Sequence, residues 1–270
     1  MIPTSSPREA SGPDEERTYD TSVWQRWARE LVLVVVSAFI LLALLQHFVG
    51  RLYVVPSGSM EPALHGCEGC TNDRIAVEKL SFYTRDPRPG DVVVFAGEAS
   101  WNADFSVQRS NNVVVRGAQN LLGWAGLNAN DKNTFVKRVI ATEGQTVSCL
   151  PDDDGIRVDG ELLSEPYLAS GTTTDPRGNS VAVPINPATG SAACGGDYFG
   201  PVEVPEDRLW VMGDNRTNSR DSRAHLGDKY QGTIGQDRVR GRVVGVVYPL
   251  SRFGGVDTTN PQETSVHAAG

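Results

Sequence analysis

The chain has 270 residues, of which 39% are hydrophobic and 21% charged, a balance that suits a globular protein of one medium or two small domains. Its formal net charge of −8 argues against nucleic acid as a partner, because phosphate binding draws on clustered Lys and Arg. Residues 1–22 are rich in Ser, Pro, Glu and Arg and lack an apolar pattern, which predicts a disordered cytoplasmic tail. A membrane anchor is expected over 23–52. Its centre, Leu31–Gly50, reads LVLVVVSAFILLALLQHFVG and holds no Asp, Glu, Lys or Arg. Twenty helical residues cover ~30 Å, about the hydrocarbon thickness of a bilayer. Trp24 and Trp27 precede the run and Tyr53 follows it, where interfacial aromatics belong. A core helix is the alternative, but this run is apolar on all faces. A cleavable leader would need small residues at −3 and −1, and Leu42-Ala43-Leu44-Leu45-Gln46 has no Ala-x-Ala pair. Arg17, Arg26 and Arg29 lie before the run and only Arg51 follows closely, so the N-terminus is expected in the cytoplasm of a single-pass protein of the plasma membrane. Everything after Tyr53 is then extracytoplasmic.

The next stretch, Val54–Leu64, reads VVPSGSMEPAL and sets Ser57 and Ser59 in a turn-rich frame. Beyond it, short Val-rich runs are broken by Gly, Pro and Asp. Asp91–Phe95, Phe135–Ile140, Arg208–Met212 and Arg242–Tyr248 read as strands, and Arg88-Pro89-Gly90-Asp91 as a turn feeding the first. The class is mainly β: a β-rich domain over 53–253 with a smaller inserted β region. Residues 96–133, polar and Asn-rich, and 149–205, with Asp, Gly, Pro and Thr clusters, read as insertions. Only Val115–Leu127 hints at a helix. Residues 254–270 read as a flexible tail.

A serine hydroxyl needs a positioned base to act as a nucleophile. The four histidines, His47, His65, His225 and His267, carry no distinctive motif, and His225 is the best placed of them. A lysine is the other solution. Lys137 sits in Phe135-Val136-Lys137-Arg138-Val139-Ile140, an apolar setting that can desolvate its stem. A free lysine with a pKa of ~10.4 is neutral in about one molecule in 2,500 at pH 7, while burial can bring it to ~7–8. Alternation along the same strand also allows Lys137 to face solvent, and periodicity alone does not choose. After the strand Leu209–Met212 comes Gly213-Asp214-Asn215-Arg216-Thr217-Asn218-Ser219-Arg220-Asp221-Ser222-Arg223, dense in groups that can bond one another. Asp221 and Arg223 can form a charge-assisted pair, and Ser219 can orient a neutral amine.

Pro56-Ser57-Gly58-Ser59-Met60-x-Pro62, then Arg88–Phe95, Lys137–Ile140 and Gly213–Arg223, with the anchor before them, resemble the ordered motifs of type I signal peptidases over roughly residues 25–250. The Cys67-Glu68-Gly69-Cys70 pattern and the insertions suggest an actinobacterial branch. The resemblance implies Ser59 as nucleophile and Lys137 as general base. It gives Ser57 the oxyanion duty together with the Ser59 backbone N–H, and Ser219 the orientation of the lysine. Asp221, Arg223 and Asp214 become structural support. Thr217 departs from the Asp common in the family, and Thr142-Glu143-Gly144-Gln145 from its Gly-rich or Pro-Gly-Asp turn.

The implied activity is removal of signal peptides from exported preproteins after small residues at −1 and −3, with no cofactor or metal. The partners are preproteins, the lipid bilayer and the secretion translocon. An extended substrate would add as a strand beside Tyr53–Pro56 and Phe135–Lys137. Two rivals are a soluble Ser–Lys self-cleaving regulator, opposed by the apolar span, and an inactive membrane scaffold, opposed by Ser59, Lys137 and the Gly213–Arg223 block together. Archaeal and reticulum-type relatives place His where Lys137 stands. An external domain permits disulfides. The four cysteines allow three pairings, and spacing favours Cys67–Cys70 and Cys149–Cys194.

Overall fold

The computed structural model describes residues 21–48, 50–67, 69–102, 133–168, 172–174, 180–182 and 184–263. The chain divides into two compact units, Met1–Leu41 and Leu42–Gly270. Helix α1 (Thr21–Phe48) starts in the first. Along it Leu31, Val32, Leu33, Val34 and Val35 are all largely exposed. No helix among the described residues is long and apolar enough to cross a membrane, which differs from the expected anchor. Arg26, Arg29 and Glu30 occupy the first third of α1, and side chains 43 and 45–49 lie outside the described set. The continuous described apolar stretch, Leu31–Leu42, covers only ~18 Å at 1.5 Å per residue.

The second unit is a β structure. Its strands run β1 (Gly50–Val54), β2 (Arg74–Glu78), β3 (Val92–Ala96), β4 (Thr134–Thr142), β5 (Thr146–Cys149), β6 (Arg157–Val158) and β7 (Glu161–Leu162). Two short hairpins follow, β8 (Thr172–Thr174) with β9 (Ser180–Ala182), and β10 (Gly190–Ser191) with β11 (Gly196–Asp197). The last strands are β12 (Phe199–Glu203), β13 (Arg208–Met212), β14 (Ile234–Gly235), β15 (Val239–Tyr248) and β16 (Gly254–Gly255). The main sheet has the order β1-β2-β15-β3-β4-β13-β14, with β16 on β15, and the smaller one β12-β5-β6-β7. All four expected strands are present. The smaller sheet begins at Thr146, slightly ahead of the expected insertion at 149. The helix hint at 115–127 and most of the 96–133 insertion lie outside the described residues.

The strands form where β-branched residues meet cover on both faces. Val92, Val93, Val94 and Phe95 are fully buried, because apolar clusters lie on either side of β3. A third cluster, built around Ile140, Val147, Phe199 and Trp210, joins the two sheets. The turn before β3 is held by buried Asp91, which accepts from the Arg88 N–H at 2.9 Å and from Arg85 Nη1 at 2.6 Å. Gly90 has φ +95°, and a side chain there would meet the Thr259 carbonyl at 2.6 Å.

That contact belongs to a C-terminal segment expected as a flexible tail. Residues 254–263 instead pack on the domain. Gly254 pairs with Val246, Gln262 Nε2 donates to the Ile140 carbonyl at 2.8 Å, and Ser164 N–H donates to Pro261 O at 2.8 Å. The segment supplies partners for buried backbone and side-chain groups that the strands leave over.

Candidate active site

Ser59 lies in a 3-10 turn, Gly58–Met60, entered from Ser57 in extended conformation. Buried Met60 and Leu64 anchor the turn in the core beneath β1. Fully buried Asp73 fixes the far side. Its backbone carbonyl accepts from Val55 N–H at 2.9 Å, and its carboxylate accepts from His65 N–H at 2.7 Å and Arg252 Nε at 2.9 Å.

Lys137 comes from β4. Residues 138–142 of that strand pair with β13, but 134–137 run past its end and pair with β3 alone. Lys137 does not face solvent as alternation allowed: it is 3% exposed. Its Nζ donates to Ser59 Oγ at 2.6 Å. Burial lowers the Lys137 pKa to about 8; the charges of Asp221 and Asp214 oppose that shift, and Arg223 adds to it. Ser57 Oγ donates to Ser59 Oγ at a long 3.4 Å. Of the histidines, His65 Nδ1 lies 2.7 Å from Glu61, and His225 stacks on Trp101 with ring centroids 4.5 Å apart.

The Gly213–Arg223 loop closes over this pair. Asn215 N–H donates to the Ser59 carbonyl at 3.2 Å, and Asn215 Nδ2 donates to the Gly58 carbonyl at 3.0 Å. Gly213 passes so close that a methyl group on it would collide with Ser59 O and Ser219 Oγ. Ser219 is thus beside the site, but its Oγ is buried and makes no hydrogen bond among the described residues, so the expected bond to the lysine amine is not formed here. Asp221 is fully buried. It accepts from Gly213 N–H at 3.0 Å and from Arg223 Nη2 at 2.8 Å. Burial alone would raise its pKa, but Arg223 and the Gly213 N–H hold it at about 2, so it is ionised.

Behind β4 lies a network that the sequence did not announce. Arg138, fully buried, binds Asp214 bidentately at 2.8 and 2.7 Å and donates to the Gly90 and Asp257 carbonyls. The Tyr167 ring sits 3.8 Å under its guanidinium. Arg216 is clamped by Glu165 and donates to the Gly213 carbonyl at 3.0 Å. Asn215, Arg138, Arg216, Glu165 and Tyr167 were not singled out as site residues. Arg138 beside Lys137 was the one available signal, since two adjacent cations on one strand face opposite ways. The two expected cysteine pairs are joined, Cys67 to Cys70 and Cys149 to Cys194. The carbonyls of Cys194 and Gly195 accept from Arg223 Nη1 at 3.2 and 2.9 Å, so the second pair borders the loop.

A buried amine of lowered pKa against a serine hydroxyl is the chemistry of a nucleophile and its base. The family profile described as "Signal peptidase, peptidase S26" matches residues 28–248. Signal peptidase I of Mycobacterium tuberculosis (strain ATCC 25618 / H37Rv) is 45% identical over 259 residues, covering 94% of this chain and 82% of that protein. Probable signal peptidase I of Mycobacterium leprae is 44% identical over 246 residues, 87% of this chain and 81% of the relative. Signal peptidase I T of Bacillus subtilis (strain 168) is 30% identical over 233 residues, 86% and 90% of the two chains. By the extent of the family match and the identity to these relatives, the chain belongs to the signal peptidases of peptidase family S26.

Proposed function

We propose that the chain is a serine endopeptidase anchored by α1, and that it removes signal peptides from exported preproteins with Ser59 as nucleophile and Lys137 as general base. As a member of this family it is a hydrolase of peptide bonds. The observation that carries the finer reading is the 2.6 Å contact between Lys137 Nζ and Ser59 Oγ at a buried amine. At pH 7 a lysine with a pKa of about 8 is neutral in about one molecule in ten, against one in 2,500 for a free lysine.

The neutral amine takes the Ser59 proton as Oγ attacks the scissile carbonyl carbon. The carbonyl π electrons move to oxygen, and the Ser57 hydroxyl and Ser59 N–H donate to the oxyanion. Collapse expels the amine of the mature protein, which takes the proton back from Lys137. Water then attacks the acyl-serine with Lys137 again as base, freeing the signal peptide's new carboxyl group. Asp221 and Arg223 hold Gly213, and Gly213 and Asn215 hold the Ser59 turn. Residues 134–137, with no β13 partner, and β1 at the end of the sheet offer the edges along which an extended preprotein can lie. Small residues at −1 and −3 and an extracytoplasmic domain follow from the family resemblance and from the Arg asymmetry around the apolar run.

Preprotein incubated with detergent-solubilised full-length protein tests the reading. Ser59→Ala and Lys137→Met are expected to lose cleavage while keeping the wild-type circular dichroism spectrum, and Ser59→Cys to retain a fraction. Near-normal cleavage by Ser59→Ala or Lys137→Met overturns the dyad. Protease added to spheroplasts is expected to digest the domain after Tyr53, and its protection would invert the topology.

A further inference from the structure

The loop that follows the Ser59 turn brings together three groups that ligate soft metal ions. The sulfurs of Cys67 and Cys70 and a ring nitrogen of His65 all lie within 4.8 Å of one another. The backbone that bears them is held by more than the disulfide. His65 N–H donates to the buried Asp73 carboxylate at 2.7 Å, the His65 carbonyl accepts from Asp73 N–H at 2.9 Å, and Cys67 N–H donates to Asn72 Oδ1 at 2.9 Å. Between His65 and Cys67, buried Gly66 packs so tightly that a side chain there would meet the Val55 carbonyl at 2.4 Å and Ser57 N at 2.8 Å. The ligand positions are thus set in advance, as a binding site requires. A Glu61 carboxylate oxygen sits 2.7 Å from His65 Nδ1, the carboxylate–histidine pairing that orients metal-bound imidazoles. The Cys67 carbonyl and Asn72 Oδ1 stand 3.3 and 3.4 Å from Cys70 Sγ, two oxygens that suit a cation beside that sulfur.

The two disulfides differ in what opening them demands. Cys149 and Cys194 are 0% exposed and bridge 45 positions, while Cys67 and Cys70 are half-buried and bridge 3. A dithiol can reach Cys67–Cys70 from solvent, and because its loop is short the fold loses least when it opens. We propose that Cys67 and Cys70, once opened by a dithiol, bind a single thiophilic divalent cation such as zinc together with His65. A thiolate of the dithiol attacks one sulfur and expels the other cysteine as a thiolate. Its second thiolate then attacks the mixed disulfide and releases the first cysteine. The dithiol leaves as a disulfide, and the protein gains two electrons and two protons. The cation takes the place of those protons on the two sulfurs. With bonds of ~2.0–2.3 Å a tetrahedral ion spans ligand atoms ~3.5–4 Å apart, so the main movement is the parting of the sulfurs. Three protein ligands leave the fourth position to water.

The test uses the full-length protein in uncharged detergent, reduced stepwise with dithiothreitol, desalted anaerobically and titrated with cadmium ion. Alkylation of the freed thiols and peptide mass mapping are expected to mark Cys67 and Cys70 while Cys149–Cys194 is still closed. Marking of Cys149 and Cys194 first, or of all four together, overturns Cys67–Cys70 as the pair that opens. Protein reduced at Cys67 and Cys70 is expected to develop a thiolate-to-cadmium charge-transfer absorption that saturates at one ion per chain. No such absorption in that protein, or the same absorption in the oxidised protein or in Cys67→Ser with Cys70→Ser, overturns the site. His65→Gln is expected to keep the absorption but to weaken cadmium about tenfold or more in competition with a chelator, and an unchanged affinity overturns the three-ligand set. The site uses neither Ser59 nor Lys137, so Ser59→Ala is expected to bind cadmium as the wild type does. Loss of binding in Ser59→Ala would reject a site separate from the Ser59–Lys137 pair.

Discussion

Lys137 is one residue with two opposed effects. Burial makes its amine a usable base, and the same burial works against the folded state while the lysine is charged when unfolded. Its pKa falls from 10.5 to about 8. Cleavage by the wild type is therefore expected to rise with pH through about 8 and then level off, and a pH–rate profile of kcat/KM checks it; a limb that vanished in His225→Ala would point to a histidine base instead. Between about pH 8 and 10.5 the unfolded chain binds more protons at this site than the folded one, so wild-type stability gains as pH rises through that window. Below pH 8 the cost is fully present, about 3 kcal/mol by the size of the shift. Lys137→Met is thus expected to melt several degrees above the wild type at pH 7, with the gap closing by pH 10.5. Thermal melts at the two pH values decide it, and a gap independent of pH would rule out the charge as its source. Asn215→Ala removes one donor to the Ser59 turn. A loss of about threefold to tenfold in kcat with little change in KM is expected, the size of one hydrogen bond.

At the scale of the element, β4 carries two cations to opposite faces, Lys137 toward Ser59 and Arg138 toward Asp214. Both side chains of the Arg138–Asp214 pair are wholly buried. Removing one partner leaves a bare charge in the core, so Asp214→Leu is expected to lose ~3–5 kcal/mol, and Asp214→Leu with Arg138→Met to recover part of it. Denaturant midpoints of the three proteins measure this, and equal midpoints for the single and double variants would show that the charge is not what matters. The strands themselves were legible. Val92-Val93-Val94-Phe95 and Leu209-Trp210-Val211-Met212 combine β-branched or aromatic residues with Gly or Pro punctuation, and local sterics decide such runs. Ser59, Lys137 and the Gly213–Arg223 loop were legible as motifs, because chemistry restricts residue type at fixed positions. The partners of Arg138 and Arg216 were not. Glu165 and Tyr167 reach them from a segment that reads as polar insertion, and no local pattern marks contacts made across 51 residues of chain, from Arg216 to Glu165, or 29 (167 − 138), from Arg138 to Tyr167. The packed C-terminal segment escaped notice for the same reason: its polar composition matches that of a loose tail, and only the finished sheet supplies its bonds.

For the whole molecule, stability and catalysis meet at the loop behind the site. Cys149 and Cys194 are separated by 45 positions, and in the chain-entropy account such a link contributes about 4 kcal/mol. Cys149→Ser with Cys194→Ser is expected to lower the thermal midpoint clearly, while cleavage at low temperature holds, because among the described residues Ser59 hydrogen-bonds to Ser57, Lys137 and Asn215 and to no cysteine. If cleavage fell first, the Cys194 and Gly195 carbonyls would be shown to position Arg223 for the reaction. The order of the main sheet has a further effect in time. β2 and β3 do not touch along the sheet; β15, which ends at Tyr248, lies between them. The Ser59 turn hangs from the β1–β2 side and Lys137 from the β3–β4 side. The two halves of the proposed catalytic pair are therefore joined only when β15, one of the last strands to be synthesised, arrives. Such long-range pairing makes folding slow. A ribosome feeding this chain N-terminus first would deliver Ser59 long before Lys137 is held against it, so on the proposed Ser59–Lys137 mechanism the newborn chain is expected to be inactive, toward itself included, until β15 has emerged.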